Sequence, residues 1–401
     1  MDLAELTPAD VPPSEIEARL VMFQSALAGQ SIDGALIVEA TNLYYLTGTS
    51  QDAHLIVPAE GDPVLGVRND LERAAVESPL GRIEPLTSLR RLPDLLASVG
   101  LEDARIGLEL DVLPAARYLG YAARLEHADL VDVSSSLREQ RSVKSAWEID
   151  RIREAAEMVV DLHVCLEEFL APGMREVEVA AELERWVRRR GHQGVVRMRA
   201  FNADQVYGTV VAGVNANVPG SVDAPLVGAG VGPAHGKGAS SRPICEGDPL
   251  IVDILGTSAG YLADQTRTFG VGRVSDRVHG AYERSVEIVH AVAAAACPGV
   301  GGSELFGLAE EIAGDLADEY ASRQRISFVG HGFGLELDEP PFLARGYDAP
   351  LREGMVFALE PKFVLPGIGA VGLENAYVVT STGVDLLTRA PEELIEIGVG
   401  D

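Results

Sequence analysis

The chain contains few cysteines and no long apolar segment. Its 401 residues include three widely spaced cysteines with no Cys-X-X-Cys pair, namely Cys165, Cys245 and Cys297. This spacing argues against a disulfide framework and against a cysteine zinc site, and it favours buried thiols in a reducing compartment. No stretch approaches the roughly 18 consecutive apolar residues that a membrane-spanning helix needs.

Positive charge is also scarce. The 33 lysines and arginines face 61 aspartates and glutamates, and the formal net charge is −28. Only three of the basic residues are lysines: Lys144, Lys237 and Lys362. A strongly negative chain argues against nucleic acids and anionic membranes as partners. Residues 1–8 are acidic and contain no apolar core, so no secretory signal is evident, and we expect a cytoplasmic protein.

The length predicts two domains, because 401 residues are too many for one ordinary hydrophobic core. In residues 1–140, strand-like runs such as Ile32–Val38 and Val64–Val67 alternate with helical stretches, which predicts an α/β domain. A polar stretch, Leu137–Lys144, marks the boundary. His54 and His127 are isolated in this half, and we interpret them as structural or surface histidines.

Residues 141–401 carry a weak internal repeat. Ser145, with Glu148 three residues later, forms a capping-box pattern that predicts a helix from Ala146 to about Leu170. A helix, a Pro-Gly break and a second helix occur twice, roughly 125 residues apart, the second time with a final helix over Ser303–Ala321. The repeat predicts a pseudo-symmetric domain in which helices pack on sheet.

Two aspartates are placed on a predicted hairpin. The segment Ile251–Phe269 has two β-prone runs joined by a Gly/Ser/Thr stretch. The midpoint between Asp253 and Asp264 falls between Ser258 and Ala259, so a turn there would set the two carboxylates opposite each other, with Cβ atoms ~5 Å apart. Facing carboxylates in an apolar hairpin must share a proton, pair with a cation or bind metal. We favour metal.

Two glutamates repeat this arrangement. Strand-like runs over 355–365 and 370–379 surround a Pro-Gly-Ile-Gly turn. Gly367 is the midpoint between Glu360 and Glu374, so a second hairpin again sets two carboxylates opposite each other.

A histidine completes the candidate ligand set. His331 lies between Gly330 and Gly332, whose conformational freedom could present the imidazole to a site. Two aspartates, two glutamates and one histidine suit a pair of divalent ions, Mn, Co, Zn or Fe. Such ions lie ~3.5–4 Å apart and can hold a bridging hydroxide. Each carboxylate alone could equally be solvent-facing or ion-paired, so the combination carries the prediction.

In order and context these residues resemble the "pita-bread" metallopeptidase family, which includes aminopeptidase P, prolidase and methionine aminopeptidase. The matching motifs are Gly247–Asp253, Asp264–Phe269, Gly330–Gly332 and Gly354–Pro361, and Asn42–Gly48 resembles the creatinase/prolidase N-terminal domain. The resemblance implies an α/β N-terminal domain, 1–140, followed by an α+β pseudo-symmetric catalytic domain, 141–401, with a curved antiparallel sheet. It also implies two ions of Mn, Co or Zn, a small peptide substrate and a homodimer.

The resemblance also implies a role for each ligand. Asp264 and Glu374 would bridge the two ions, Asp253 would bind one ion, and His331 and Glu360 would bind the other. Glu360 would in addition pass a proton from the bridging water to the leaving nitrogen.

Two positions bear on the substrate. His235 is the candidate for the family's substrate-contacting histidine, although its spacing to Gly247 is about one residue longer than the pattern, and the alternative is a surface histidine. Asp338, seven residues after His331, stands where proline-directed members usually carry a second substrate-contacting histidine. An ionised aspartate cannot donate a hydrogen bond, so Asp338 could instead bind the cationic amine of a peptide or a cationic non-peptide substrate.

The leading hypothesis is therefore a dinuclear metallopeptidase that cleaves Xaa-Pro bonds, as an aminopeptidase or a dipeptidase. A metal-dependent lyase or non-peptide hydrolase on the same scaffold is the alternative that Asp338 motivates. A non-catalytic binding protein is disfavoured because all five candidate ligands are present.

Overall fold

The computed structural model describes residues 10–199, 201–203, 205, 207–220, 224–321 and 326–398. Residues 1–8, which carry the prediction of no secretory signal, lie outside the described residues. The chain forms two compact units, Met1–Arg141 and Ser142–Asp401. None of the helices in the described ranges combines the length and apolar character that a bilayer crossing requires.

The first unit is built on a six-stranded mixed sheet with the order β4-β3-β2-β1-β5-β6. Its strands are β1 Gly34–Ile37, β2 Ala53–Pro58, β3 Val64–Val67, β4 Ile83–Pro85, β5 Arg105–Leu108 and β6 Asp129–Asp132. The pairs β1–β2 and β2–β3 are antiparallel, whereas β3–β4, β1–β5 and β5–β6 are parallel. Strands β1 to β3 are buried along their whole length, as their near-continuous apolar runs predict.

Helices alternate with these strands along the chain, which confirms the α/β prediction. They are α1 Pro13–Gly29, α2 Ala40–Thr47, α3 Leu71–Glu77, α4 Leu92–Ala97, α5 Ala115–Ala122 and α6 Ser134–Ser142. In α1, the apolar residues Ile16, Leu20, Phe23 and Leu27 recur at helical spacing and are all buried.

The second unit repeats a motif of helices packed on a sheet. The first sheet has the order β19-β11-β8-β7 and the second β13-β12-β14-β17-β18, and two ribbons, β9–β10 and β15–β16, extend them. The strands are β7 Gly208–Ala212, β8 Pro249–Ile254, β9 Gly256–Ser258, β10 Tyr261–Ala263, β11 Thr266–Val271, β12 Phe328–Phe333, β13 Leu337–Ala344, β14 Val356–Leu359, β15 Lys362–Leu365, β16 Gly369–Gly372, β17 Asn375–Val379, β18 Val384–Leu386 and β19 Ile395–Ile397.

Each sheet of this unit has its own helices and its own core. The helices are α7 Ala146–Glu157, α8 Leu162–Phe169, α9 Glu176–Arg189, α10 Asp276–Ala295 and α11 Gly302–Ala313. Residues of α8 and α9 share a core with β7, β8 and β11, whereas α10 and α11 share one with β12, β14 and β17. The α+β, pseudo-symmetric fold is the one expected from the sequence.

The predicted helix from Ala146 to about Leu170 is wrong in its length, because it is two helices, α7 and α8. The capping box is confirmed, since Glu148 N–H donates to Ser145 Oγ at 3.2 Å and Ser145 N–H donates to Glu148 Oε2 at 2.9 Å. The break follows Glu157, where the Val159 carbonyl accepts a hydrogen bond from Gln265 Nε2 at 3.0 Å. A side chain from β-rich sequence thus takes an acceptor that a continuous helix would use.

The predicted helix over Ser303–Ala321 is also too long. Helix α11 ends at Ala313, and a short 3₁₀ turn follows over Gly314–Leu316. Gly314 has φ +52° and ψ −119°, a conformation that cannot continue a helix and that glycine adopts without steric cost.

Candidate metal centre

The turn of the aspartate hairpin is centred one residue later in the sequence than predicted, which changes the pairing of its strands. Ser258 pairs with Tyr261, so the turn consists of Ala259 and Gly260, both with positive φ. Consequently Asp253 lies opposite Thr266, not opposite Asp264. Asp264 is two residues from Thr266, which keeps it on the face of Asp253 but moves it to the diagonal position. The prediction of directly facing aspartates is therefore wrong, while the shared face holds.

The glutamate hairpin has the predicted register. Lys362 pairs with Gly372 in the β15–β16 ribbon, and Leu359 pairs with Asn375 in β14–β17. Both pairings place Glu360 opposite Glu374. Each of the two long strands predicted here is in fact two short strands. Glu360 lies at the break between β14 and β15, and Glu374 lies at the break between β16 and β17.

His331 lies on β12, between β13 and β14. A Cβ atom built on Gly330 would lie 2.4 Å from the Ala358 carbonyl oxygen, and one on Gly332 would lie 2.4 Å from the Glu339 carbonyl oxygen. The two glycines have strand conformations. They therefore serve close packing of neighbouring backbones rather than an unusual conformation, which corrects the reason we expected for them.

The structure brings all five candidate ligands to one cavity of ≈ 490 Å³, whose lining includes Asp253, Asp264, His331, Glu360 and Glu374. The Nε2 atom of His331 lies 3.5 Å from Glu360 Oε1, 3.8 Å from Asp264 Oδ2 and 4.0 Å from Glu374 Oε1. Asp264, His331 and Glu374 each offer one ligand atom within 4.8 Å of the other two.

These residues fit a divalent cation. The Asp264 Oδ1 and Glu374 Oε1 atoms are buried and have no hydrogen-bond partner among the described residues. Burial, and next the charges of Glu374, Asp253 and Glu360, raise the pKa of Asp264 well above its usual range. Buried carboxylate oxygens facing an imidazole nitrogen are costly unless a cation neutralises them, and this donor set suits a divalent metal.

A buried lysine, which the sequence reasoning missed, lies among these carboxylates. The Lys362 ammonium donates hydrogen bonds to Glu360 Oε2 at 2.6 Å, Asp253 Oδ2 at 3.2 Å and Glu374 Oε2 at 3.3 Å. Burial lowers the pKa of Lys362, but the three carboxylates outweigh it and the pKa lies well above its ordinary value. The available signal was a lysine, one of three, placed directly after Glu360 and Pro361 in an apolar strand.

Asp338 is on the other side of His331. Its Oδ1 atom lies 3.5 Å from His331 Nδ1, which also faces the Gly332 carbonyl oxygen at 3.2 Å. Burial lowers the pKa of His331, but Asp338, Glu360 and Glu374 outweigh it, and the pKa is raised. A proton on Nδ1 directed at these oxygens leaves Nε2 free to act as a ligand.

His235 is in a different place from the candidate ligands. It is exposed, and it lines a neighbouring cavity of ≈ 400 Å³. It is not among the described residues that line the 490 Å³ cavity. Lys237 lines both cavities, and its ammonium donates to Gln205 Oε1 at 3.3 Å.

Arg267 fixes the two hairpins relative to each other. Its guanidinium donates to the Glu374 carbonyl oxygen at 2.7 Å and to Asn375 Oδ1 at 2.9 Å. Thr266, next to it, donates its hydroxyl hydrogen to Glu374 Oε2. Glu374 is therefore held through both its backbone and its side chain, which is typical of the support around a metal ligand.

The fold and the site together define a metal-dependent hydrolase with an appended α/β domain. The model of metallopeptidase family M24 matches residues 150–381, and the model of the creatinase/prolidase N-terminal domain matches residues 19–143. The chain belongs to metallopeptidase family M24. It is a peptidase, and its family implies divalent metal ions.

Known relatives span both units. The chain is 32% identical over 375 residues to the uncharacterized peptidase YqhT of Bacillus subtilis, covering 92% of this chain and 97% of that protein. It is 30% identical to the probable dipeptidase PepE of Mycobacterium bovis, over 95% of this chain and 96% of that protein. The crystal structure of the prolidase from Pyrococcus horikoshii matches with a TM-score of 0.79 and 26% identity, over 94% of this chain and 100% of that one.

Proposed function

We propose that this protein is a metal-dependent dipeptidase that hydrolyses Xaa-Pro bonds in short peptides. The observation that carries the proposal is the buried cluster of carboxylates and one imidazole, two of whose oxygens have no hydrogen-bond partner among the described residues. The names of the relatives, a probable dipeptidase and a prolidase, support a short peptide as substrate.

The proposed chemistry assigns work to named side chains. A bound divalent metal supplies Lewis acidity toward the scissile carbonyl and makes water a nucleophile at neutral pH. Asp264, His331 and Glu374 would hold this ion, and Glu360 would accept the proton of the attacking water and return it to the leaving nitrogen. The Lys362 ammonium donates a hydrogen bond to Glu360 Oε2 at 2.6 Å, which fixes the position of that carboxylate.

The cavity offers opposite charges for the two ends of a dipeptide. Asp338 and Lys237 both line it, and they can meet the amine and the carboxylate of a zwitterionic substrate. Leu226, Phe328 and Leu337 add apolar surface that suits the pyrrolidine ring of proline. Recognition of both ends favours a dipeptidase over an aminopeptidase.

The test is a substrate panel assayed with the purified protein loaded with Mn or Co. We expect Xaa-Pro dipeptides to be cleaved faster than the matching Xaa-Ala dipeptides and than Xaa-Pro-Ala tripeptides. Asp264→Asn is the inactive control. Failure of the metal-loaded protein to cleave any Xaa-Pro peptide would rule the proposal out.

A non-peptide hydrolase or a lyase is the second candidate, and Asp338 favours it. This acid, 3.5 Å from His331, is a hydrogen-bond acceptor that suits a cationic non-peptide substrate as well as a peptide amine. Product analysis with small cationic substrates separates the two functions. Four further points stay predictions: the choice among Mn, Co, Zn and Fe, the homodimer, the cytoplasmic location and a substrate contact by His235.

A further inference from the structure

Lys362 divides the candidate metal centre into two parts. Its ammonium faces Asp253 Oδ2, Glu360 Oε2 and Glu374 Oε2 at 2.6–3.3 Å, and we name this group the ammonium subsite. The remaining ligand atoms surround the imidazole of His331, and we name them the metal subsite. They are Asp264 Oδ2, His331 Nε2, Glu360 Oε1 and Glu374 Oε1.

The ammonium subsite is saturated by the lysine. An ammonium group has three N–H donors, and three carboxylate oxygens lie within hydrogen-bond distance of this one. The Lys362 side chain has 0% exposure, so water does not compete for these contacts. Asp253 contributes Oδ2 to this subsite, at 3.2 Å from the ammonium nitrogen.

The backbone across the ribbon makes room for the lysine. Lys362 pairs with Gly372, and a Cβ atom on Gly372 would lie 2.5 Å from Lys362 Cγ. Any larger residue at 372 would therefore push the lysine stem away from the carboxylates. The lysine is thus held in place by the fold as well as by its charge.

A metal ion cannot use the same three oxygens. Carboxylate oxygens bind ions such as zinc at about 2.1 Å, so an ion on the ammonium subsite would displace the Lys362 ammonium or collide with it. The two cations would also repel each other in a buried site, where screening is weak. Expelling the ammonium would leave a buried charge without its partners, which is strongly destabilising.

We infer that the centre takes one divalent ion, at the metal subsite, and that the Lys362 ammonium takes the place of a second ion. The inference rests on the proposed metal-dependent function and replaces the two-ion count that the family resemblance implies. An ammonium nitrogen has no vacant orbital and is no Lewis acid, and because its three N–H donors are occupied it offers no position for water. Its role is to position Asp253, Glu360 and Glu374 and to neutralise part of their charge.

Metal counting tests the inference without reference to activity. Metal-free protein is incubated with excess Mn²⁺, freed of unbound ion, and measured by mass spectrometry and electron paramagnetic resonance. We expect one Mn²⁺ per chain and the six-line spectrum of an isolated ion. Lys362→Ala, which removes the charge and opens the subsite, should bind two ions and give a spin-coupled spectrum. Lys237→Met, which removes a lysine elsewhere on the same cavity, should still bind one.

The outcomes separate the two proposals. Two ions in the wild-type protein, or one ion in a folded Lys362→Ala, would overturn the inference while leaving a peptidase function standing. One ion in the wild-type protein without cleavage of any peptide would overturn the proposed function and leave the inference standing. The wild-type measurement decides the matter even if Lys362→Ala does not fold.

Discussion

The side-chain carboxylate of Asp264 is buried beside three other carboxylates, and both the burial and these neighbours disfavour its ionised form. Its Oδ1 atom has no hydrogen-bond partner among the described residues, so the metal-free protein bears an uncompensated cost at this position. Residues that bind a metal commonly destabilise the metal-free protein, because their positions suit binding rather than stability.

We therefore predict opposite effects of Asp264→Asn on stability and on metal binding. The metal-free variant should be more stable than the metal-free wild type by on the order of 1–2 kcal/mol, because a buried like-charge repulsion is removed. Added Mn²⁺ should stabilise the wild type but not the variant. Urea unfolding followed by tryptophan fluorescence measures both effects.

A matched change elsewhere in the unit provides the control. Asp385, on β18, is exposed, so Asp385→Asn should alter the unfolding free energy by no more than about 0.5 kcal/mol. A metal-free Asp264→Asn that is less stable than the wild type would contradict the prediction.

At the scale of secondary-structure elements, Arg267 links β11 to the start of β17 and to the segment after β18. Besides Glu374 and Asn375, its guanidinium donates to the carbonyl oxygens of Thr266, Ala390 and Pro391 at 2.9, 3.2 and 2.6 Å. All of its N–H groups thus lie near acceptors, in an environment where the side chain is only 6% exposed.

We predict that Arg267→Lys destabilises the protein by about 2–4 kcal/mol although it keeps the charge. An ammonium has three donors and no planar fork, so buried carbonyl oxygens lose their partners, at a cost of about 1–3 kcal/mol each. Thermal unfolding of the metal-free protein checks this. Arg389→Lys is the control, because Arg389 is exposed and donates to the Leu386 carbonyl oxygen at 3.3 Å. Equal melting temperatures for Arg267→Lys and Arg389→Lys would contradict the prediction.

The hairpins show what a sequence can and cannot specify about this site. The glutamate register followed from the midpoint rule because the Pro-Gly-Ile-Gly turn marks its own centre. The aspartate register was wrong because the turn uses Ala259 at φ +46°, a conformation that alanine rarely adopts and that no local pattern indicates. Lys362 escaped notice because its partners Asp253 and Glu374 belong to other segments of the chain, and spacing along the chain does not reveal such contacts.

At the scale of the whole molecule, each unit contains a buried neutral histidine. Burial, together with Arg68, lowers the pKa of His54 to about 4, and burial with Arg188 lowers that of His192 to about 4. The sequence interpretation of His54 as a structural histidine agrees with its 2.9 Å contact to the Tyr121 hydroxyl. Whole-chain architecture was predictable because periodicity and the Pro-Gly breaks recur over long stretches.

We predict that acidification weakens both units. A histidine whose pKa falls from 6.5 to about 4 on folding binds fewer protons in the native state. Each histidine's contribution to the free energy of unfolding is then fully present above pH 6.5 and is lost as the pH falls toward 4. The loss between pH 7 and pH 5 is about 2 kcal/mol per histidine.

The sequence allows the two units to be measured separately. Both tryptophans, Trp147 and Trp186, lie in Ser142–Asp401, so their fluorescence reports the unit that holds His192. Imidazole NMR signals assigned with His54→Gln and His192→Gln should titrate near pH 4. Titration of either signal near pH 6.5, or stability unchanged between pH 7 and pH 5, would contradict the prediction.

The buried ammonium of Lys362 also has a consequence for how the protein would meet its metal supply. A cation that is covalently part of the chain cannot be removed by a chelator or exchanged for a competing ion. The fraction of protein with bound metal would then rise hyperbolically with the free metal concentration, with a Hill coefficient of one. It would reach one half when that concentration equals a single dissociation constant. Under metal scarcity such an enzyme would lose activity gradually, in proportion to one binding equilibrium rather than two.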